Sequence, residues 1–171
     1  MHLIIDGYNL LGARGEMRAN AEPARERLLQ ELMDYRRHKG HPITVVFDGW
    51  RQNMTTERHE HRSGVQVIYS RKGQAADQVI QRLASEFGRD CAVVSSDREV
   101  ADFARAQGAF IIGAAEFDSR LRAATRMGSR PSSGSGTRDA EDLDRAHREK
   151  KGNPRKLPKA IRQRNRRLKG F

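Results

Sequence analysis

With 171 residues, of which 36% are hydrophobic, the chain is long enough for one domain with a sizeable core plus an appendage. Its single cysteine, Cys91, excludes a disulfide framework and a thiolate metal cluster; lying in the apolar run Cys91 Ala92 Val93 Val94, it reads as a buried structural thiol. The net charge of +11 is confined to one part of the chain: through Leu121 there are 17 Lys and Arg against 17 Asp and Glu, and from Arg122 onward 16 against 5.

A neutral domain thus carries a basic tail. Such asymmetry points to a polyanionic partner, and to nucleic acid rather than a membrane surface, because the tail lacks a clear apolar face. With neither a targeting segment nor a membrane span in view, the cytoplasm is the expected location.

In chain order, Leu3 Ile4 Ile5 reads as a short buried strand that stops on Asp6, followed by Gly7, Tyr8 and Asn9. Residues 11–20 read as a Gly-interrupted loop. A 3.6-residue pattern over 21–39 predicts a helix with Ala24, Leu28, Leu32 and Tyr35 on one face, Pro23 in its first turn and Gly40 as its stop. Residues 43–47 form the second predicted strand, which also ends on an aspartate, Asp48. Residues 49–64 read as a polar loop containing Trp50, His59 and His61.

Residues 65–69 predict a third strand, placed nearer an edge by its polar Gln66. The turn over 70–74 leads into a helix over about 75–87, with Val79, Ile80, Leu83 and Phe87 as its buried stripe, Gly88 as its end, and Asp77 in the first turn, where the macrodipole tolerates a negative charge. A fourth strand over 91–94 closes on Ser95, Ser96 and Asp97. A short helix over 98–107, a fifth strand over 109–112, and a last helix over about 113–124 with Phe117 and Leu121 inward complete the pattern.

Alternating strands and helices predict an α/β fold, a mostly parallel five-stranded sheet with helices on both faces. Residues 1–127 form the domain. Residues 128–138, rich in Gly, Ser and Pro, read as a flexible linker. Residues 139–171 form the basic tail, whose last stretch is expected to be disordered when free. In parallel sheets ligands bind at the carboxyl ends of the strands. Asp6, Asp48 and Asp97 each end an apolar run, and Asp77 opens a helix that starts on that same edge.

A single Asp after a strand is ordinarily a turn or helix-cap residue. Four on one edge repel one another, and a hard divalent ion relieves that repulsion. Magnesium is held by one or two carboxylates, waters and phosphate oxygens, so Asp6, Asp77 and Asp97 suit Mg²⁺ or Mn²⁺ far better than zinc, with Asp48 the weakest candidate for direct ligation. Such an ion could activate a water against a phosphodiester. Asn9 either turns the loop or holds Asp6 or a water in place.

Competing chemistries lack their motifs. No GxGxxG follows the first strand, no GxSxG elbow occurs, no lysine ends the last strand as a phosphoacceptor receiver would need, and Tyr8 stands where a haloacid-dehalogenase phosphatase would carry a second Asp. His59 and His61 form a minor alternative, a metal pair or a metal-free acid and base, weighed against a solvated loop. Trp50 is a core lid or a platform for an unpaired base.

The segments IIDGYNLLGARG, VVFDG, AADQVIQRLA and VVSSDREV, in this order and spacing, resemble the NYN domain of the YacP-like family, a branch of the PIN-like nucleases. The resemblance covers about residues 1–121. It implies a three-layer α/β/α sandwich and a metal-dependent endoribonuclease of bacterial RNA processing or mRNA decay. Asp6 resembles the family's first-strand acid, Asp77 its helix-start acid, Asp97 its fourth-strand acid and Asn9 the amide of its opening motif. One departure is visible: where the family often reads Glu-Thr-Ala-Asp, this chain has Gln74, Ala75, Ala76 and Asp77, which would weaken ion binding if the missing Glu or Thr takes part in it.

The expected catalytic set is therefore Asp6, Asn9, Asp77 and Asp97, leaving a 5′-phosphate and a 3′-hydroxyl. The expected RNA contacts are Asn9, Trp50, Lys72 and Arg98 in the domain, with Arg155, Lys156, Arg162, Arg164, Arg166 and Arg167 in the tail, which would give affinity without sequence choice to single-stranded or ribosome-associated RNA. The alternative is a non-catalytic RNA- or ribosome-binding protein that keeps the PIN-like fold.

Overall fold

A computed structural model describes residues 1–17, 21–49 and 55–128. The apolar run after Met1 forms β1 (His2–Asp6), and the chain turns at once into a short helix, α1 (Gly7–Ala13), where a loop was expected. Asp6 itself starts that helix, its Oδ1 accepting the Asn9 backbone N–H at 3.0 Å. Only glycine fits next: a Cβ on Gly7 would stand 2.2 Å from the buried Phe47 ring.

The long helix is α2 (Glu22–Lys39), with Pro23 in its first turn and Gly40 ending it at φ +74°, the left-handed conformation glycine adopts without strain. It feeds β2 (Ile43–Phe47). A strand then appears inside the expected polar loop: β3 (Arg58–Arg62) pairs antiparallel with β4 (Val65–Tyr69). The two are joined by Ser63 and Gly64, both at positive φ, the geometry of a tight two-residue hairpin. The sheet therefore has six strands rather than five.

The remainder follows the periodicity: α3 (Ala76–Phe87), β5 (Cys91–Val94), α4 (Arg98–Ala106), β6 (Phe110–Ile112) and α5 (Ala114–Gly128). Phe87 does not join the buried stripe of α3. Its side chain is partly exposed, with its ring centroid 4.4 Å from that of His2. The last helix runs on through Gly128, which the sequence reading gave to the linker; the rest of the linker and the tail lie outside the described residues.

The strand order is β3-β4-β2-β1-β5-β6, parallel except for β3. Helices α1, α2 and α5 pack together on one face and α3 and α4 on the other, a three-layer α/β/α sandwich. Period-two alternation splits the strands between two cores. Ile4, Val46, Ile68 and Val93 meet Val79 and Ile80 of α3, while on the opposite side Tyr35 of α2 and Phe117 of α5 cross edge to face at 5.5 Å. Each large side chain so buried contributes roughly 1.5–3 kcal/mol.

One row on the α3 face is polar. His2 Nε2 lies 2.8 Å from Thr44 Oγ1, whose hydroxyl donates to Gln66 Oε1 at 3.2 Å. Gln66 Nε2 lies 3.3 Å from His59 Nδ1, and His59 Nε2 is 2.7 Å from Glu57. Four strands are thus stitched crosswise by side chains.

Candidate active site at the carboxyl edge of the sheet

In this topology β1 is the point from which the chain builds outward in both directions, to β2 on one side and β5 on the other. The crevice outside the carboxyl ends of such strands is where open parallel sheets bind ligands. Asp6 ends β1 there, and Ser95, Ser96 and Asp97 follow β5 there.

Asp6 is 7% exposed. Its Oδ1 accepts from the Asn9 N–H, and its Oδ2 lies 3.5 Å from the Ser95 hydroxyl. Burial in this setting pushes the carboxyl up to about 6 against the help of the Asn9 hydrogen bond, and the charges of Asp77 and Asp97 push in the same upward direction. Asp77, half-buried in the first turn of α3, is raised as well, chiefly by burial and then by Asp97, Asp48 and Glu99. These acids therefore sit within one another's fields. Among the described residues, however, no three Asp, Glu, His or Cys side chains form a group that could enclose an ion by protein ligands alone.

The other expected residues occupy distinct positions. Asn9 bridges the two arms of the crevice: its N–H holds Asp6, and its Oδ1 accepts the Ser96 N–H at 2.9 Å. Asp97 caps α4, its Oδ1 accepting from the N–H groups of Glu99 and Val100 at 2.8 and 3.3 Å, which leaves Oδ2 without a hydrogen bond among the described residues. Asp77 makes no hydrogen bond or ion pair among them. Asp48 is engaged by the Ser70 hydroxyl at 3.0 Å. Lys72 and Arg98 are exposed beside the edge. Trp50 and the tail arginines and lysines lie outside the described residues. His59 and His61 stand on the edge strand β3 rather than in a loop, with His59 held by Glu57.

Three serines escaped the sequence reading. Ser70, fully buried, donates to Asp48 and accepts the Gly49 N–H at 3.1 Å. Ser95, also buried, accepts the Asp97 N–H at 3.1 Å while reaching toward Asp6. Ser96 Oγ accepts the Ala114 N–H at 3.1 Å. Their signal was positional, since each lies within two residues of the end of an apolar strand on the carboxyl edge, where a small hydroxyl can satisfy turning backbone.

A family model described as the YacP-like NYN domain matches residues 3–165, extending past Leu121 into the basic tail. The uncharacterized protein YacP of Bacillus subtilis (strain 168) is 34% identical over 87 residues, 48% of this chain and 50% of the relative, so the alignment spans half the length of that curated relative. The crystal structure of Rae1 (YacP) from Bacillus subtilis superposes with a TM-score of 0.62 at 29% identity, covering 74% of this chain and 76% of that one. A point mutant of the same protein gives 0.62 at 28% identity, covering 74% and 79%.

Proposed function

This chain belongs to the YacP-like NYN domain family, a nuclease-like, RNA-associated class, and from that premise we propose that it is a metal-dependent endoribonuclease. The observation that carries the reading is Asp6. It is a buried carboxylate at the strand end where ligands bind, pushed up to about 6 partly by the charges of Asp77 and Asp97. Asp77 and the Oδ2 of Asp97 have no hydrogen-bond partner among the described residues, so these oxygens are available to a cation.

The donor set is carboxylate oxygen throughout, which fits Mg²⁺ or Mn²⁺ held by Asp6, Asp77 and Asp97 with waters and phosphate oxygens completing the shell; an octahedral magnesium does not need three protein ligands. When bound, such an ion neutralises charge on a phosphodiester and lowers the pKa of a water. The chain's own part is positioning. The Asn9 N–H and the Ser95 hydroxyl address the two oxygens of Asp6, and the Asn9 side chain ties that arm to Ser96 beside Asp97. The Ser70 hydroxyl holds Oδ1 of Asp48 and also accepts the Gly49 N–H, and Asp48 stands as the weakest candidate for direct ligation. Residues 1–127 carry the pocket in this reading, and the tail from residue 139 supplies phosphate-backbone affinity for single-stranded or ribosome-associated RNA.

The test is incubation of the full chain with end-labelled single-stranded RNA in Mn²⁺, in Mg²⁺ and in EDTA, beside Asp6→Asn. Cleavage to 5′-phosphate products only with ion, reduced more than about a hundredfold in the variant, is expected. Undiminished cutting in EDTA overturns the reading. So does tight RNA retention without product at any ion concentration, which would make this a non-catalytic RNA-binding protein.

A further inference from the structure

Among the described residues, a cleft lies on each side of the sheet at its β3–β4 end. The cleft on the α2 side, about 290 Å³, is neutralised from within: Glu60 holds Arg58 at 2.9 Å and Arg62 at 3.0 Å, and Glu26 holds Arg62 at 2.7 Å. Its charges are already spent on one another. The cleft on the α3 side is different. About 370 Å³ in volume, it is lined by Thr55, Thr56, Glu57, Arg71, Gln74 and Arg82, and carries two guanidinium groups against one carboxylate.

Glu57 and Arg82 pair at 2.7 Å, with His59 on the same carboxylate oxygen. Arg71 is left over. It is exposed and makes no ion pair or hydrogen bond through its side chain among the described residues, and neither does the Gln74 amide. A turn brings these two together: the Gln74 N–H donates to the Arg71 carbonyl at 3.0 Å, with Gly73 at φ +83° between them. That turn joins Ser70, which holds Asp48, to Asp77 at the start of α3. The cleft's lining thus reaches Gln74, three residues before Asp77 in the chain, and touches α3 at Arg82, about 7.5 Å of axial rise beyond Asp77.

We propose that this cleft seats one nucleotide of a single RNA strand next to the phosphate at Asp6, with Arg71 on the neighbouring phosphate and Gln74, aided by the Thr55 and Thr56 hydroxyls, on the sugar or base edge. A free guanidinium binds phosphate bidentately, and an amide presents both donor and acceptor. The volume falls within the range of small-ligand sites. Among the described residues the lining is polar and charged, which suits recognition by hydrogen bonds and charge. The inference rests on the nuclease reading for the identity of the strand as RNA and for the phosphate at Asp6.

Binding of a fluorescein-labelled 12-nucleotide single-stranded RNA to the full chain, measured by anisotropy in EDTA over a salt series, tests the cleft apart from catalysis. Arg71→Ala should weaken binding about five- to tenfold and reduce the log–log salt slope by about 0.7, the share of one phosphate on a single strand. Gln74→Ala should weaken binding about threefold with the slope unchanged, and a duplex RNA of the same length should bind both variants like the wild type. Because both side chains are exposed or half-buried and unpaired among the described residues, thermal melting should stay at the wild-type value and exclude misfolding. In Mn²⁺, Arg71→Ala should raise KM with kcat within about twofold. Variants that match the wild type in affinity and slope, or a wild type that does not bind the strand, overturn the cleft. A wild type that binds with these differences but never cuts sinks the nuclease reading and leaves the cleft standing.

Discussion

Asp6→Asn should stabilise the ion-free protein, and by an amount that depends on pH. The folded carboxyl titrates at about 6 and the unfolded one at about 3.8. Below the unfolded value both states are protonated and the group contributes nothing. Between the two values the folded chain holds a proton that the unfolded chain has released, so stability falls as pH rises; above 6 the full penalty is present. Two units at 1.36 kcal/mol each give about 3 kcal/mol as the upper size of that loss. Asparagine carries no charge and can still accept the Asn9 N–H as a helix cap. Its amide must find an acceptor, which reduces the net gain to about 1–3 kcal/mol at pH 7.5.

Urea unfolding in EDTA at pH 4.5 and pH 7.5 measures this as a difference of differences, in which carboxylates remote from Asp6 cancel, while relief of its neighbours Asp77 and Asp97 adds to the gain in the same direction. With Mn²⁺ at about 100 times its dissociation constant, the wild type should gain roughly 2.7 kcal/mol and the variant much less. A variant equally stable or less stable at both pH values would show that Asp6 is held by its hydrogen bonds without electrostatic cost, and the argument for a cation there would lose its footing.

Other substitutions separate architecture from chemistry. Gly7→Ala should cost about 1–3 kcal/mol in urea melts, because the new methyl meets the buried Phe47 ring. Arg14→Met should cost about 3 kcal/mol or more, since Arg14, with its side chain 2% exposed, joins Glu31 and Asp118 at 2.6 Å each and so ties α1 to α2 and α5. A loss under 1 kcal/mol would mean the carboxylates find water instead. Asp97→Ala should lose the α4 cap and about 1 kcal/mol, whereas Asp97→Asn should keep stability within about 0.5 kcal/mol and still lose cleavage. Equal activity in the Asn variant would remove Asp97 from the catalytic set.

Elements with a strong apolar period were readable from the chain: α2 with Leu28, Leu32 and Tyr35 inward, β1 buried from Leu3 on, the fully buried β2, and the Asp at the end of each strand. What was missed has physical causes. The strand β3 reads Arg-His-Glu-His-Arg, without an apolar residue, because an edge strand with one solvated face can rely on backbone pairing and polar neighbours, and charge protects it from pairing with other chains. Its one legible mark was Ser63-Gly64, a hairpin dipeptide. The helix α1 hides behind Gly7 and Gly12, poor helix formers held by the Asp6 cap and by burial of Leu10 and Leu11. At the site, the acids could be placed on an edge from strand ends alone, but Asp48 on Ser70 and Asn9 as a tie between two loops depend on hydrogen bonds between residues 22 and 87 apart in sequence.

The crosswise row from His2 to Glu57 gives the sheet a gradient of cohesion. Apart from His2 and Thr44, strands β1, β2 and β5 are sealed by apolar packing on both faces, whereas β3 is fastened by backbone pairing and by polar links that water can replace one at a time. The hairpin is thus the natural place for the sheet to open first, and its amides should exchange with solvent earliest among the strands. Each such excursion takes Glu57 with it and releases Arg82, so that the side of the molecule most easily loosened is also the side that would gain a positive charge when it loosens.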